Sequence, residues 1–303
     1  MSFHFPYKSP PNYRILAKDV PEFAQFVQTT AEEQPTIDFQ NPEAVRSLNC
    51  ALLKRDFGLD VIMPPNRLCP VVPGRLEYIH WILQVALYPN DKNTTLSGID
   101  MFATHLPLFS NTRNNSGTGP TAIYPLLGCS TLTKLKMVAT EIDEESYQVA
   151  RKNVAACAKQ IGGNIALVKV DASDGILYKA VELGGVKFDF TMCNPPFYSS
   201  LEEISVLASG KQSEPFATCT GAVNEMITPG GEVAFVSRMI EESLHLADKI
   251  RWFSSLLGKF SSLATLVQKL QTLKITNYAI HVSNVGHTKR LLQAIPVSIF
   301  YSV

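Results

Sequence analysis

From residue 96 to residue 193, short apolar runs alternate with stretches of helical periodicity, and this alternation limits the possible folds more than any other feature. Residues 96–100, 136–141, 165–170 and 188–193 read as strands. Between them, residues 121–127 read as a short helix closed by Gly128, and residues 144–160 as a helix ended by Gly162 and Gly163. Strands of this composition, separated by helices of this length, pair in parallel and bury both faces of their sheet. Residues 232–237 extend the pattern as a further strand, followed by a long helix over 241–257. The expected architecture is therefore α/β, a doubly wound sheet that binds ligands at its strand C-termini.

The chain before residue 90 is different: rich in proline, with helical patches at 20–27 and 42–53. In the second patch Asn41 can cap, Pro42 can take the first helical position, and Val45, Leu48, Leu52 and Leu53 share a face. The Pro-rich residues 63–74 exclude helix and inner strand and read as an extended connector. Residues 75–87 then read as an amphipathic helix, with His80 and Trp81 as core and boundary residues. The expected division is an N-terminal module with connector, 1–74, and an α/β domain, 75–303.

No apolar run approaches the roughly 20 residues of a membrane-spanning helix, and the first residues lack the layout of a secretory signal. The six cysteines form no C-x-x-C pair, so free thiols are expected rather than disulfides or a zinc site. With 27 basic against 27 acidic residues, net charge alone gives no support to a nucleic-acid partner. Any basic face must be local: residues 238–303 hold eight Lys and Arg against three acids, while residues 1–95 hold nine against ten.

Asn194-Pro195-Pro196-Phe197 follows directly on the strand 188–193, where such sheets bind ligands. An amide can accept from an amino group, two prolines stiffen the turn, and the aromatic offers a face to a flat ring. Together they suit an exocyclic amine of a base held with its nitrogen lone pair exposed to a methyl donor. The rival reading is an ordinary Pro-containing turn. Gly117-Thr118-Gly119, with Gly98-Ile-Asp100 upstream, could admit a nucleotide-like ligand or be an ordinary loop. Glu141, ending a strand, could bind ribose hydroxyls or cap the next helix. Asp171, after the third strand, could flank an adenine or cap a turn. Arg75 could be a carboxylate or phosphate ligand or a surface ion-pair partner.

The order of these features resembles one family: the methyltransferase-like 16 group of RNA adenine-N6 methyltransferases, with its bacterial 23S ribosomal-RNA relatives. The resemblance rests on residues 67–81, Gly98-Ile-Asp100, Gly117-Thr-Gly119 running into 123–128, and residues 139–143. It continues through 192–197, Gly230-Gly-Glu232 and 286–290, and so covers nearly the whole chain. It implies a Rossmann-like class I fold using S-adenosylmethionine to methylate N6 of an adenine in structured RNA, such as U6 spliceosomal or 23S ribosomal RNA. By motif position, Arg75, Gly117, Thr121, Glu141, Asp171 and Asn194 would line the donor site. Asn194, Pro195, Pro196 and Phe197 would hold the adenine. The family's N-terminal module would contribute RNA contacts through Lys8, Arg14, Lys18, Lys54, Arg55 and Arg67, and residues 199–216 a mobile loop beside the substrate pocket. No metal and no membrane partner are implied, and the compartment would be nuclear or cytoplasmic. Other readings are a methyltransferase for another planar amine, of protein glutamine or guanine, and an RNA-binding protein whose donor site is broken.

Two segments depart from the family. Sixteen residues, 101–116, separate Asp100 from Gly117 where the family has a tight turn. They are either a loop that bulges out while both flanks keep their places or a retained intron. The C-terminal residues 290–301 also differ, and Pro296 would interrupt the ladder of an inner strand.

Overall fold

The computed structural model describes residues 3–88, 94–101, 118–171, 175, 177–184, 187–209, 221, 223–283 and 297–303. The first helix, α1 (Tyr13–Asp19), is capped by Asn12, whose side chain accepts the Ile15 N–H. A 3-10 helix (Pro21–Phe26) and a hairpin of β1 (Val27–Thr29) and β2 (Pro35–Ile37) follow. Helix α2 (Pro42–Phe57) begins as expected: the Asn41 side chain accepts from Glu43 and Ala44 N–H, with Pro42 as the first residue. Val45, Leu48, Leu52 and Leu53 are all buried. Helix α3 (Val72–Leu87) starts three residues before the expected Arg75, because Pro73 and Gly74 fit its first turn, where N–H groups lack intrahelical partners anyway.

The α/β part runs β3 (Leu96–Met101), α4 (Ile123–Thr131), β4 (Leu135–Glu141), α5 (Glu144–Ala156), α6 (Ala158–Ile161) and β5 (Ile165–Lys169). It continues with α7 (Tyr178–Gly184), β6 (Phe188–Cys193), α8 (Leu201–Ser209), α9 (Val223–Met226) and α10 (Gly231–Ser243). Last come β7 (Ile250–Leu257), α11 (Phe260–Thr272), β8 (Tyr278–Val282) and β9 (Val297–Tyr301). Strands β3 to β9 form one sheet in the order β5-β4-β3-β6-β7-β9-β8. All pairs are parallel except β7 with β9 and β8 with β9. From β3 the chain moves outward through β4 and β5, then returns to β6 on β3's other side. The crevice past the C-terminal ends of β3 and β6 is therefore the topological switch point, where open α/β sheets bind ligands.

Each face of the sheet is covered. Helices α2, α3 and α4 pack on one side with Leu135, Met137, Phe190 and Met192, and the N-terminal Tyr7, Leu16 and Phe23 join that same core. Helices α10 and α11 pack on the other with Ile99, Phe188, Phe253 and Ile299. Gly98 serves this packing rather than a ligand: a Cβ there would lie 2.5 Å from the Phe190 ring and 2.7 Å from Met137 Sδ.

The structure corrects the expectations on the second half of the sheet. Residues 232–237 belong to helix α10, not to a strand, and residues 250–257 form strand β7, not the end of a long helix. A short apolar run does not distinguish strand from buried helix. The buried set Phe235, Val236, Met239, Ile240 and Ser243 has helical spacing once residues past 237 are counted. Gly128 lies inside α4, whose last turn closes through the Leu132 N–H donating to Gly128 O. An inner strand does form near the C-terminus: β9, Val297–Tyr301, lies between β7 and β8; Pro296 lies outside the described residues. Residues 199–216 are not all loop, since 201–209 form α8; residues 210–216 lie outside the described residues.

Candidate active site

The cleft at the switch point is lined by Leu68, Arg75, Asp100, Thr121, Asn194 and Glu225, among others. Residues on either side of the 101–116 spacer, of which 102–116 lie outside the described residues, meet at the floor of the cleft: Thr118 Oγ1 donates to Asp100 Oδ2 at 2.5 Å, and the Thr118 N–H donates to Thr140 O at 2.8 Å. The flanks thus hold their places beside β3 and β4. Burial pushes the Asp100 carboxyl up to about 7, against the Thr118 hydroxyl and the Arg75 charge. Glu141, completely buried at the end of β4, is held among the described residues by backbone N–H groups. One oxygen accepts the Gly119 N–H at 2.9 Å, and the other accepts Ile142 and Asp143 N–H at 2.9 and 2.8 Å. Burial still pushes its carboxyl up to about 8.

Arg75 connects the cleft's two sides. Its Nη1 donates to Tyr124 Oη at 2.6 Å and to Asn194 Oδ1 at 2.8 Å, and the guanidinium lies 5.4 Å from the Tyr124 ring centre. A guanidinium only donates, so the amide atom it meets must be the carbonyl oxygen, which fixes the orientation of Asn194. Nη2 and Nε of Arg75 take no partner among the described residues, leaving a planar fork of the shape that matches a carboxylate. This cleft, with a basic fork at one end and a buried acid at the end of the second sheet strand, fits a zwitterionic nucleoside such as S-adenosylmethionine.

On the acceptor side, Pro195 and Pro196 are buried and Asn194 and Phe197 half-buried. The Phe197 ring lies on Gly258, where a Cβ would fall 2.6 Å from ring carbon Cδ1, so only glycine admits the ring there. Glu232 builds this wall. Its carboxylate accepts Gly258 N–H at 2.6 Å, Lys259 N–H at 3.0 Å and Ser262 Oγ at 2.6 Å, and so ties down the turn that leads into α11. Beyond it Lys259 pairs with Glu203 and stands 5.4 Å over the Tyr198 ring. Glu203 in turn accepts from the Ser199 N–H and hydroxyl. The Glu203 carboxyl is carried down to about 2, since Lys259 and Ser199 outweigh the effect of its burial.

Residues 3–300 match a family described as RNA methyltransferase. The chain belongs to this RNA methyltransferase family. The RNA N(6)-adenosine-methyltransferase METTL16 of Gallus gallus is 39% identical over 265 residues, 86% of this chain and 44% of that protein. The U6 small nuclear RNA (adenine-(43)-N(6))-methyltransferase of Schizosaccharomyces pombe is 37% identical over 257 residues, 84% of this chain and 60% of its own length. The chain thus spans about half the length of the curated relatives it matches. Among solved structures, the hMettl16 catalytic domain in complex with MAT2A 3'UTR hairpin 1 superimposes with a TM-score of 0.82 at 34% identity, covering 100% of this chain and 96% of that one. The N-terminal domain of human METTL16 in complex with SAH gives 0.76 at 33% identity, covering 100% and 98%. The fold is that of a class I S-adenosylmethionine-dependent methyltransferase.

Set in this family, the expected site residues come together unevenly. Arg75, Thr121 and Asn194 line the cleft, and Glu141 sits just behind it through Gly119. Asp171 stands exposed past β5, and Gly117 lies outside the described residues. Of the basic residues, Lys8, Arg14, Lys18 and Lys54 are exposed, Arg14 donating to Glu33 O and Lys54 pairing with Glu22. Arg55 is half-buried and chelates its neighbour Asp56. Arg67, also expected among the RNA contacts, stands apart from these surface residues. It is buried and pairs with Asp143 at 2.9 Å and Glu145 at 2.8 Å, fastening the connector to α5. Sequence reasoning missed three polar residues of the site. Tyr124 and Glu225 gave no local signal, because their roles come from meeting Arg75 and the Leu68 N–H across the fold. Glu232 had one, since an acid after a Gly-Gly pair often opens a helix. Among the described residues no group of three or more His, Cys, Asp and Glu could hold a metal ion, and no helix is long and apolar enough to cross a membrane.

Proposed function

We propose that this chain transfers a methyl group from S-adenosylmethionine to N6 of an unpaired adenine in structured RNA, of U6 or 23S type. The observation that carries the reading is the fixed Asn194 carbonyl, 2.8 Å from Arg75 Nη1 at the switch-point cleft. When bound, S-adenosylmethionine supplies an electrophilic methyl on its sulfonium. Arg75 would offer Nη2 and Nε to the donor's carboxylate, Thr121 would line its nucleoside part, and Glu141 would hold the Gly119 turn from behind; Asp171, past β5, would flank the adenine. Asn194 accepts one N–H of the adenine amine through the lone pair that Arg75 leaves open. Pro195 and Pro196 keep the turn rigid, and Phe197 stacks on the base. In-line positioning supplies most of the rate advantage, so the cleft needs no strong general base.

An adenine reaches such a pocket only by leaving its stack, which favours loops and bulges. Residues 1–74 grip the RNA through Lys8, Arg14, Lys18 and Lys54, with affinity that falls as salt rises. A substrate of this kind places the protein in the nucleus or the cytoplasm. The test is methyl transfer from labelled S-adenosylmethionine to hairpin RNAs. Wild type labels the RNA and Asn194→Ala does not; undiminished labelling by the variant would remove the site assignment. Calorimetric titration with S-adenosylmethionine separates this reading from an RNA binder with a broken donor site, which would take up RNA but no donor.

A further inference from the structure

The registered pairing of β6 with β7 stops four residues before Asn194. Their ladder is registered at Phe188↔Ile250 and Phe190↔Trp252, while β7 runs on to Leu257 paired with β9. Side chains bridge the two strands above that point. The Ser254 N–H donates to Thr191 Oγ1 at 3.1 Å, and Ser254 Oγ donates to Thr191 O at 2.5 Å. With its only proton used on that carbonyl, Ser254 Oγ must accept from the Tyr78 hydroxyl, 2.7 Å away. The Tyr78 oxygen is left to accept, and it takes the Cys193 N–H at 3.4 Å. Tyr78 is fully buried, and burial keeps it a neutral phenol against the opposing effect of the Ser254 and Cys193 N–H contacts. Its ring also stands edge-on to Tyr124, 5.6 Å between centres, and Tyr124 is the acceptor that holds Arg75.

Arg75 and Tyr78 lie three residues apart and so share one face of α3. The first grips Asn194 Oδ1, and the second grips the last N–H before Asn194. We propose that the Tyr78 hydroxyl is a positioning residue for methyl transfer, fixing through Cys193 N–H the place of the Asn194 amide beyond the registered β6–β7 pairing. The inference rests on the adenine-methyltransferase reading for its kinetic consequence, and on geometry alone for its structural one.

Tyr78→Phe removes only the hydroxyl and keeps the packed ring. The expected result is a kcat lower by roughly ten- to a hundredfold on hairpin RNA, with KM for S-adenosylmethionine and for RNA within about twofold of wild type. Ser254→Ala, which removes the hydroxyl's acceptor from the opposite side, lowers kcat in the same way. Leu266→Ala, buried in the core on the other face of the sheet, serves as a control that loses thermal stability with kcat unchanged. Hydrogen exchange gives a readout independent of activity: the Cys193 amide exchanges at least about tenfold faster in Tyr78→Phe, while α11 amides do not change. A Tyr78→Phe kcat within about twofold of wild type, a kcat loss equalled by Leu266→Ala, or unaltered exchange at Cys193 overturns the proposal. A wild-type chain that labels no RNA defeats the functional reading instead, and exchange at Cys193 then decides the positioning role by itself.

Discussion

The two sides of the cleft are built by different means. On the donor side, polar groups are buried and fixed by the backbone: Glu141 takes three main-chain N–H groups, and Asp100 takes the Thr118 hydroxyl. On the acceptor side, a half-buried Phe197 rests on Gly258, whose turn Glu232 holds, and beyond that turn the outer edge is a partly exposed Lys259–Glu203 pair among the exposed apolar Leu201, Val206 and Phe260. A small ligand of constant shape suits preorganised backbone. A base drawn from a larger, variable RNA suits an aromatic surface with a wall that can adjust. Asn194 is the point at which the two constructions touch, through Arg75.

This contrast can be broken by substitution. Asn194→Ala should have the largest effect, a loss of roughly a hundredfold or more in kcat, measured in single-turnover transfer to hairpin RNA. Next, Arg75→Ala should weaken the donor more than the RNA. Losing a charge-assisted fork predicts roughly a tenfold to hundredfold rise in KM for S-adenosylmethionine; a change confined to RNA affinity would mean that the cleft's sides are assigned the wrong way round. Gly258→Ala should do the reverse, because a methyl 2.6 Å from the Phe197 ring must displace it. The expected outcome is about a tenfold fall in kcat/KM for RNA with donor affinity kept, given that about 1 Å of misplacement can cost far more.

The donor side should also show in pH dependence. Asp100 and Glu141 have carboxyls raised to about 7 and about 8, so the folded chain holds protons that the unfolded chain releases. The stability these two groups contribute is therefore fully present below about 4 and is lost as pH rises from about 4 to about 8. Thermal melts of the ligand-free protein should follow this slope, and Asp100→Asn should flatten it. On the acceptor side the smallest effect is expected: Lys259→Ala breaks a partly exposed pair and should change stability by less than about 1 kcal/mol. A drop several times larger would show the wall to be as rigid as the donor side.

The same division separates what the sequence revealed from what it hid. The order β3, β4, β5, β6 was legible because each strand is an apolar run bounded by helical periodicity, and Asn41-Pro42 and Gly162 mark helix ends by local chemistry. So was the Asn194-Pro195-Pro196-Phe197 turn, whose place at a strand end follows from the run before it. The far half of the sheet misled, since residues 232–237 are apolar in both periods and β7 was hidden in an assumed helix. Contacts that fix the site were not readable at all. Tyr78 and Tyr124 look like ordinary core aromatics until α3 is laid against the ends of β6 and β7. Arg67 looked like a surface cation because nothing local foretells its two acids more than seventy residues away.

The most direct test of the central claim is to methylate a panel of small structured RNAs with the wild-type chain and to identify the modified nucleoside and its position. The account predicts N6-methyladenosine at an adenine in a loop or bulge, absent with Asn194→Ala. Methyl groups on guanine, or no methylated nucleoside in any RNA despite donor binding, would contradict it.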